Sequence, residues 1–220
     1  MLPLDKGDRS LSLTSKLSLV YIVVFIGVII FADPSWMRQQ IRDEVASFQQ
    51  WTGPEAGQQV TQKAQDWYYF LFKNSGIEAL VNDFFAPDLS LIESNTGLVN
   101  AGNPIFSKLT TGVENFWLLM YQSVFRMAVL QYWMIFAVGL SLAAFCDGLV
   151  KRKIKQYTFG WSSVNVFRLS VKALVTAPFL IITYLSIPVV PSYAHFMPLI
   201  IFIGLGIAMH YMASNMQRVF

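Results

Sequence analysis

Long apolar runs alternate with polar segments along the chain. Four runs have few or no charged residues, over residues 17–32, 116–146, 173–190 and 198–216. An α-helix needs about 20 predominantly apolar residues to cross the hydrocarbon core of a bilayer. The pattern therefore predicts an all-α membrane protein with four transmembrane helices.

The first run is the shortest of the four, and it has two interpretations. It is either a retained anchor, whose length Lys16 extends by reaching back to the headgroups, or a cleaved signal peptide. The Ile30-Phe31-Ala32 sequence is a poor match to the small residues of a cleavage site. We expect the run to be retained as the first span.

The segment between the first two runs, residues 33–115, has the pattern of amphipathic helices. Asp33-Pro34 combines a good N-cap with a proline at the first helical position, and Thr52-Gly53-Pro54-Glu55 resembles a capping box. Apolar residues recur after each signal at the three-to-four spacing of a helix face. The two predicted faces consist of Trp36, Met37, Ile41, Val45 and Phe48, and of Val60, Ala64, Trp67, Tyr68 and Leu71.

The rest of this segment is less regular. The aromatic run over residues 67–72 either packs in a core or dips into the membrane surface, where Trp and Tyr are favoured; we expect the core. A short helix is predicted around Ile77–Phe85, and the polar residues 88–103 predict a loop. Asn103-Pro104 then predicts the start of a helix that continues into the second apolar run.

Arg126 is the charged residue of the second apolar run, which is too long for one upright span. If the span ends at Cys146, about 20 residues back places Arg126 at the outer interface. A charge at the bilayer centre costs about 2.5 kcal/mol or more, which favours that position. The alternative is a buried Arg126 paired with an acid such as Glu114 or with another subunit.

The distribution of charge orients the predicted spans. The chain is 55% hydrophobic and only 13% charged. Residues 33–115 carry ten acids and five bases, whereas residues 147–172 carry one acid and six bases. Because basic residues near span ends stay in the cytoplasm, both termini are predicted inside a bacterial inner membrane, with a helical periplasmic segment between the first two spans. The predicted parts are 1–16 cytoplasmic tail, 17–32 first span, 33–115 periplasmic segment, 116–146 long helix with the second span, 147–172 basic cytoplasmic loop, 173–190 third span, 191–197 periplasmic turn, 198–216 fourth span and 217–220 cytoplasmic end.

The basic segment that follows the second span contains the predicted contact residues. Basic residues at this position signal topology and attract anionic lipid headgroups, worth about 1 kcal/mol each near the surface. The sharper hypothesis is a docking patch for an acidic partner surface. The predicted contact residues are Asp147, Gly148, Lys151, Arg152, Lys153, Lys155, Arg168 and Lys172.

The last two spans have features that affect helix packing. Pro178 is tolerated inside the third span, and Gly204, Gly206 and Ala208 give the fourth span a small-residue face for close packing. His210 is predicted to make a polar contact with a neighbouring helix. His195 is predicted to be solvated in the outer turn.

Chemical motifs add little to this pattern. The single cysteine, Cys146, excludes an internal disulfide, and no Cys/His cluster has the spacing of a metal site. No glycine-rich phosphate loop is present. We therefore predict no cofactor and no enzymatic activity.

The C-terminal half resembles a known family through a short signature. Asp147-Gly148-Leu149-Val150 is followed by basic residues including Arg152, then by Ser162 and Ser163, then by Lys172 before two proline-edged spans. This pattern resembles the uncharacterised inner-membrane proteins encoded by integrating conjugative elements and conjugative plasmids. Members often carry a His after the Ser stretch, where this chain has Asn165-Val166-Phe167, so no imidazole role is carried over.

The resemblance implies a role in conjugation. Genes of this family commonly lie beside the gene for the coupling ATPase, which delivers DNA to a type IV secretion channel. The resemblance thus implies a non-enzymatic membrane accessory that binds the coupling ATPase or other secretion proteins. It covers about residues 115–220, and the outer segment only by layout.

Three other functions are weighed against this one. A small transporter or channel would place ionisable residues deep in several spans, and only Arg126 and His210 are available. An intramembrane enzyme would need paired carboxylates, a Ser/Lys dyad or clustered His. We do not expect direct nucleic-acid binding, because the basic segment has no reader motif.

Overall fold

The computed structural model describes residues 13–85, 99–187 and 193–216, and these residues are organised as helices. The second and third helices meet at a sharp corner, and a π-helical turn at Tyr69–Lys73 extends the third. A 3₁₀ turn at Ala194–Phe196 leads into the last helix. The α-helices are α1 (Leu13–Phe31), α2 (Pro34–Thr52), α3 (Pro54–Tyr68), α4 (Ile77–Phe85), α5 (Val99–Tyr157), α6 (Val164–Ser186) and α7 (Met197–Asn215).

Three of these helical stretches are long and apolar enough to cross a membrane. They are Lys108–Tyr157 within α5, all of α6, and Ala194–Asn215, which includes α7. The number rises to four if α1 and α2, bent by 114° at their junction, are counted as one broken span. The all-helical class and the membrane-length helices confirm the coarse prediction, and the four-span topology stays a prediction.

The long helix α5 organises the fold. Its 59 residues correspond to about 88 Å at 1.5 Å per residue, far more than the roughly 30 Å of a hydrocarbon core. α7 packs along it, with Gly206 facing Leu140 and Ala144, and α6 packs mainly on α7. Gly206 and the buried Ala208 confirm the small-residue face, whereas Gly204 faces open space.

The segment that was expected outside the membrane packs on α5. α2 begins as predicted, with the Asp33 carboxylate accepting a hydrogen bond of 2.9 Å from the Ser35 N–H. The buried faces of α2 and α3 meet α5 and form the largest apolar core. Its buried members are Phe48, Val60, Ala64, Val124, Phe125, Ala128 and Val129, with Trp67, Tyr68 and Phe72 at its edge.

The first helix joins the rest of the fold near its C-terminal end. The buried Asn115 of α5 donates hydrogen bonds of 3.0 Å and 2.8 Å to the carbonyl oxygens of Ile29 and Ala32. The preceding apolar side chains of α1, such as Val23, are largely exposed. Such exposure is typical of a helix surrounded by lipid or by another protein.

Several helix boundaries differ from those expected. α5 does not stop near Cys146 but continues to Tyr157, so the predicted basic loop consists of helix ends and a short connection. Gly148 stays helical because α7 packs against it, and Lys and Arg are good helix formers. α5 also begins at Val99, inside the predicted loop, whose residues 88–98 lie outside the described part.

The predicted capping box at the α2–α3 corner does not form. The Thr52 hydroxyl donates instead to the Phe48 carbonyl oxygen at 2.8 Å. The N-cap of α3 is Gly53, with φ of 90°, and it makes no side-chain capping bond. Glycine suits this corner because a left-handed φ costs it little.

Candidate functional site

The last two turns of α5 carry four basic residues, Lys151, Arg152, Lys153 and Lys155, which we call the basic end. Lys151 and Lys153 are exposed, whereas Arg152 and Lys155 are half-buried. The helical spacing separates them, because neighbouring residues on a helix point in different directions. The basic end therefore has an outward pair and an inward pair.

Lys155 is part of the internal structure. Its Nζ donates to the Asn215 Oδ1 at 3.0 Å and to the Ser214 carbonyl oxygen at 3.3 Å. The Ser163 N–H donates to the same Asn215 oxygen at 3.2 Å. Lys155 thus ties α5 to the C-terminal end of α7 and to the start of α6.

Asp147 and Gly148 are also used in packing α5 against α7. The Asp147 Oδ2 lies 3.0 Å from the His210 Nδ1. A Cβ added at Gly148 would lie 2.5 Å from the His210 carbonyl oxygen and 2.8 Å from the Ala213 Cβ. Glycine at 148 is therefore required by the close approach of the two helices, and the predicted polar contact of His210 is made with Asp147.

The last residue of α5 and the connection that follows it present three aromatic side chains, Tyr157, Phe159 and Trp161, which we call the aromatic turn. They are 84%, 97% and 90% exposed. Phe159 has a φ of 53°, uncommon for a residue with a side chain, and the next N–H, of Gly160, donates to the Lys155 carbonyl oxygen at 2.8 Å. Sequence reasoning missed this feature, although three aromatic residues around a glycine in a polar segment were a usable signal.

Ser163 begins α6 as a side-chain cap, accepting from the Val166 N–H at 3.4 Å. Arg168 and Lys172 are exposed on α6. They extend the positive charge along that helix but do not join the contacts around Lys155.

A second polar cluster lies at the other end of α6. Arg126 is 1% exposed and Glu44 4% exposed. The Arg126 Nε donates to the Glu44 Oε1 at 2.9 Å, and its Nη1 donates to the carbonyl oxygens of Tyr184 and Ile187 at the end of α6. Gln122 donates to the Glu44 Oε2 at 2.9 Å. One buried guanidinium thereby joins α2, α5 and α6.

These contacts match the alternative predicted for Arg126, a buried arginine paired with an acid, but the acid is Glu44 rather than Glu114. The position of Arg126 at the outer membrane interface stays a prediction. Glu114 pairs instead with Arg38, and both of these side chains are substantially exposed. Helix spacing places Glu44 on the predicted apolar face of α2, three residues after Ile41 and four before Phe48. Its partner lies 82 residues away in the chain, and no local pattern indicates that distant contact.

His195 is also placed differently from the prediction. It was expected to be solvated but is 1% exposed. Its ring packs among Phe48, Trp51 and Phe196, and the Ser47 Oγ lies 3.4 Å from its Nδ1. His195 therefore packs the C-terminal end of α2 against the start of α7.

A cavity of about 590 Å³ lies between α3, α4 and α5, at the end of the protein opposite the basic end. Tyr68 and Trp117 are among its walls, and Trp117 donates to the Asn82 Oδ1 at 2.9 Å. Burial raises the pKa of Tyr68, and the neighbouring Glu78 carboxylate adds to the effect. This tyrosine therefore keeps its proton to a higher pH than an ordinary tyrosine does.

The described residues offer binding chemistry at the basic end. In these ranges no group of three or more His, Cys, Asp or Glu side chains is placed to hold a metal ion. The outward lysines and the aromatic turn together present positive charge and apolar rings. Such a surface is suited to binding an acidic partner with an apolar pocket.

The fold and this surface define a helical protein with membrane-length helices and a cationic, aromatic end. The chain belongs to a family of conjugative DNA transfer proteins, described as IncC plasmid conjugative DNA transfer protein DtrJ-like, whose model matches residues 36–217. The match includes the Asp-Gly-Leu-Val signature and extends through the outer segment, so it confirms the association with conjugation over most of the chain. Comparison with curated proteins and with solved structures finds no significant match.

Proposed function

We propose that this protein is a non-enzymatic, multi-pass inner-membrane component of the conjugative DNA transfer apparatus. In this proposal it binds the coupling ATPase of the same transfer system, or another protein of the secretion channel, through its basic end. Membership of a conjugative DNA transfer family supports the process. Three membrane-length helices support the location.

The proposed orientation places the basic end in the cytoplasm. Basic residues close to span ends are retained on the cytoplasmic side. The segment 147–172 carries six bases and one acid, and the segment 33–115 carries ten acids and five bases. A cytoplasmic basic end would be accessible to a membrane-bound ATPase that acts on DNA inside the cell.

The observation that carries the docking proposal is the exposed aromatic turn, which follows two exposed lysines in the chain. Phe159 and Trp161 are almost fully exposed, and Lys151 and Lys153 lie on the last turns of the preceding helix. Aromatic residues at the centre of an interface commonly contribute most of the binding energy, and surrounding charges guide association. We therefore propose that Phe159 and Trp161 anchor an apolar pocket of the partner, which is bordered by acidic residues.

Fewer residues are available to contact a partner than the eight predicted from the sequence. Lys155, Asp147 and Gly148 are used within the protein, so their loss would disturb folding as well as docking. Lys151 and Lys153 remain available on the surface. We therefore propose that the partner contacts Lys151, Lys153 and the aromatic turn, and not the whole basic segment 147–172.

A channel function receives less support. The buried side chains of Arg126 and Glu44 form a hydrogen bond with each other. Arg126 also donates to two backbone carbonyl oxygens. An ion or proton pathway is typically built from ionisable residues that face a water-filled cavity. Flux through reconstituted vesicles would be the observation that favours a channel.

The docking proposal is tested by affinity purification from donor membranes that carry the whole transfer system. The tagged protein is recovered in mild detergent, and the coupling ATPase is quantified by mass spectrometry. We expect the ATPase to be recovered, and to be lost with Lys151→Gln/Lys153→Gln and with Phe159→Ser/Trp161→Ser.

Matched variants separate docking from general effects of charge and apolar surface. Lys63→Gln/Lys73→Gln removes two exposed charges from the outer segment, and Phe84→Ser removes an exposed aromatic ring there. These variants should retain the ATPase. Absence of the ATPase from the unsubstituted preparation, or equal losses in both sets, would reject docking at the basic end.

A further inference from the structure

The inward pair of the basic end borders a cavity. An open cavity of about 680 Å³ lies between the ends of α5 and α7 and the connection into α6. Its polar walls include Arg152, Lys155, Gln156, Ser162 and Ser214. Two cationic side chains and two serines therefore face one space, and none of the described residues that line it is a carboxylate.

Arg152 has a donor in need of an acceptor. Its Nε is shielded from solvent and makes no hydrogen bond to another described residue. A buried donor left without a partner costs free energy, so native proteins nearly always satisfy it. Because Arg152 lines the cavity, a rotation of its side chain would bring this donor to an oxygen of a bound anion.

Lys155 is held at the cavity wall by its two bonds to the end of α7. An ammonium group has three N–H donors, so two acceptors leave one donor for a ligand. The bonds also reduce the entropy that the side chain would lose on binding. The cation is thus positioned before any ligand arrives.

The neighbouring charges do not compete for this space. The nearest acid along α5, Asp147, faces His210, and Lys151 and Lys153 are exposed and do not line the cavity. An arginine fork, an ammonium and hydroxyls match the oxygens of a phosphate group. The cavity also lies at the end of three membrane-length helices, where lipid headgroups collect.

We propose that this cavity binds a phosphate group, that of an anionic phospholipid headgroup or of a soluble phosphate compound. Arg152 and Lys155 would share the phosphate oxygens, and Ser162 would contribute a hydroxyl. The inference adds a ligand to the basic end of the proposed function. Its test uses the purified protein without other transfer proteins, so its failure would leave the docking experiment unaffected.

The test is native mass spectrometry of the full-length protein in a neutral detergent. Phosphatidylglycerol, phosphatidylcholine and inorganic phosphate are titrated in separate arms, followed by competition between lipid and phosphate. We expect retention of one phosphatidylglycerol in preference to phosphatidylcholine. Retention that inorganic phosphate does not reverse assigns the lipid source, and saturable binding of phosphate alone assigns the soluble source.

The decisive comparison is between neighbouring positions on α5. Arg152→Gln and Lys153→Gln each remove one positive charge, but only Arg152 lines the cavity. We expect Arg152→Gln to weaken binding by about tenfold or more, as for loss of a charge-assisted hydrogen bond. Lys153→Gln should change it by less than about twofold, because an exposed charge is screened.

A second variant keeps the test informative if Arg152→Gln does not fold. Ser162→Leu leaves every charge in place but fills part of the cavity, and it should also reduce binding. Equal losses with Arg152→Gln and Lys153→Gln would indicate general attraction to the basic end and overturn the site. Unchanged binding in Ser162→Leu, or no retained lipid or phosphate in any arm, would overturn it as well.

Discussion

Removing the charge of Glu44 should destabilise the protein far more than removing a surface carboxylate. Glu44→Gln preserves the shape of the side chain but leaves the buried guanidinium of Arg126 without its counter-ion. Breaking a buried pair in this way typically costs 3–5 kcal/mol, and we expect about 3 kcal/mol because Gln keeps one acceptor oxygen. That is about a hundredfold in the folding equilibrium.

The chain contains its own control for this prediction. Arg38 and Glu114 also join α2 to α5, but their side chains are 56% and 39% exposed. Glu114→Gln should therefore cost less than about 1 kcal/mol. The two free energies of unfolding are measured in neutral detergent by titration with SDS, followed by far-UV circular dichroism.

A third variant separates loss of the charge pair from loss of packing. Replacing both partners, as in Glu44→Leu/Arg126→Met, should recover part of the stability, because apolar residues of similar volume commonly replace a buried pair. The recovery is incomplete because Gln122 and the carbonyl oxygens of Tyr184 and Ile187 lose their partners. Equal, small effects of Glu44→Gln and Glu114→Gln would mean that Arg126 is screened by water. The buried network would then be refuted.

Two further results are expected. Gly148→Ala should weaken the packing of α5 on α7 and lower the thermal stability in detergent. Gly139 has open space around it, so Gly139→Ala should leave the stability unchanged or raise it by up to about 1 kcal/mol. Equal effects of the two variants would contradict the close approach of the helices at Gly148. In a Cys146→Ser background, Phe159→Cys should be labelled by a membrane-impermeant maleimide only after the cells are opened, and Asp83→Cys already in intact spheroplasts; the reverse pattern would place the basic end outside.

The parts of the fold that follow from local sequence signals were predictable. The Asp33 cap, the helix over Ile77–Phe85 and Pro178 within a helix all depend on residues within one or two turns. The prediction of the apolar face of α2 was also largely correct, because Met37 and Phe48 are buried. These features need only helix periodicity and the capping preferences of short polar side chains.

The features that depend on distant partners were not predictable. The acceptor of Arg126 lies 82 residues away; periodicity places Glu44 on the apolar face of α2, but it does not show which residue of α5 will meet it. His195 is buried because the tip of α2 covers it. The second span was expected to end at Cys146, but α5 continues through Gly148, where α7 packs against it.

The basic end illustrates the same limit for the candidate site. Sequence identified Lys151, Arg152, Lys153 and Lys155 as one patch, since they lie within five positions. Helix geometry divides them into an exposed pair and an inward pair. The division follows from the unexpected continuation of α5 to Tyr157, because a flexible loop would not hold the side chains in fixed directions.

Contact between the basic end and the coupling ATPase is tested most directly by photo-crosslinking in donor cells. A photoreactive phenylalanine analogue replaces Phe159 or, as a control, Phe84, which is exposed on α4. We predict a cross-linked product containing the ATPase from position 159 and none from position 84, in cells that still transfer DNA. No such product from position 159 in transfer-competent cells, or equal yields from both positions, would contradict the proposed docking.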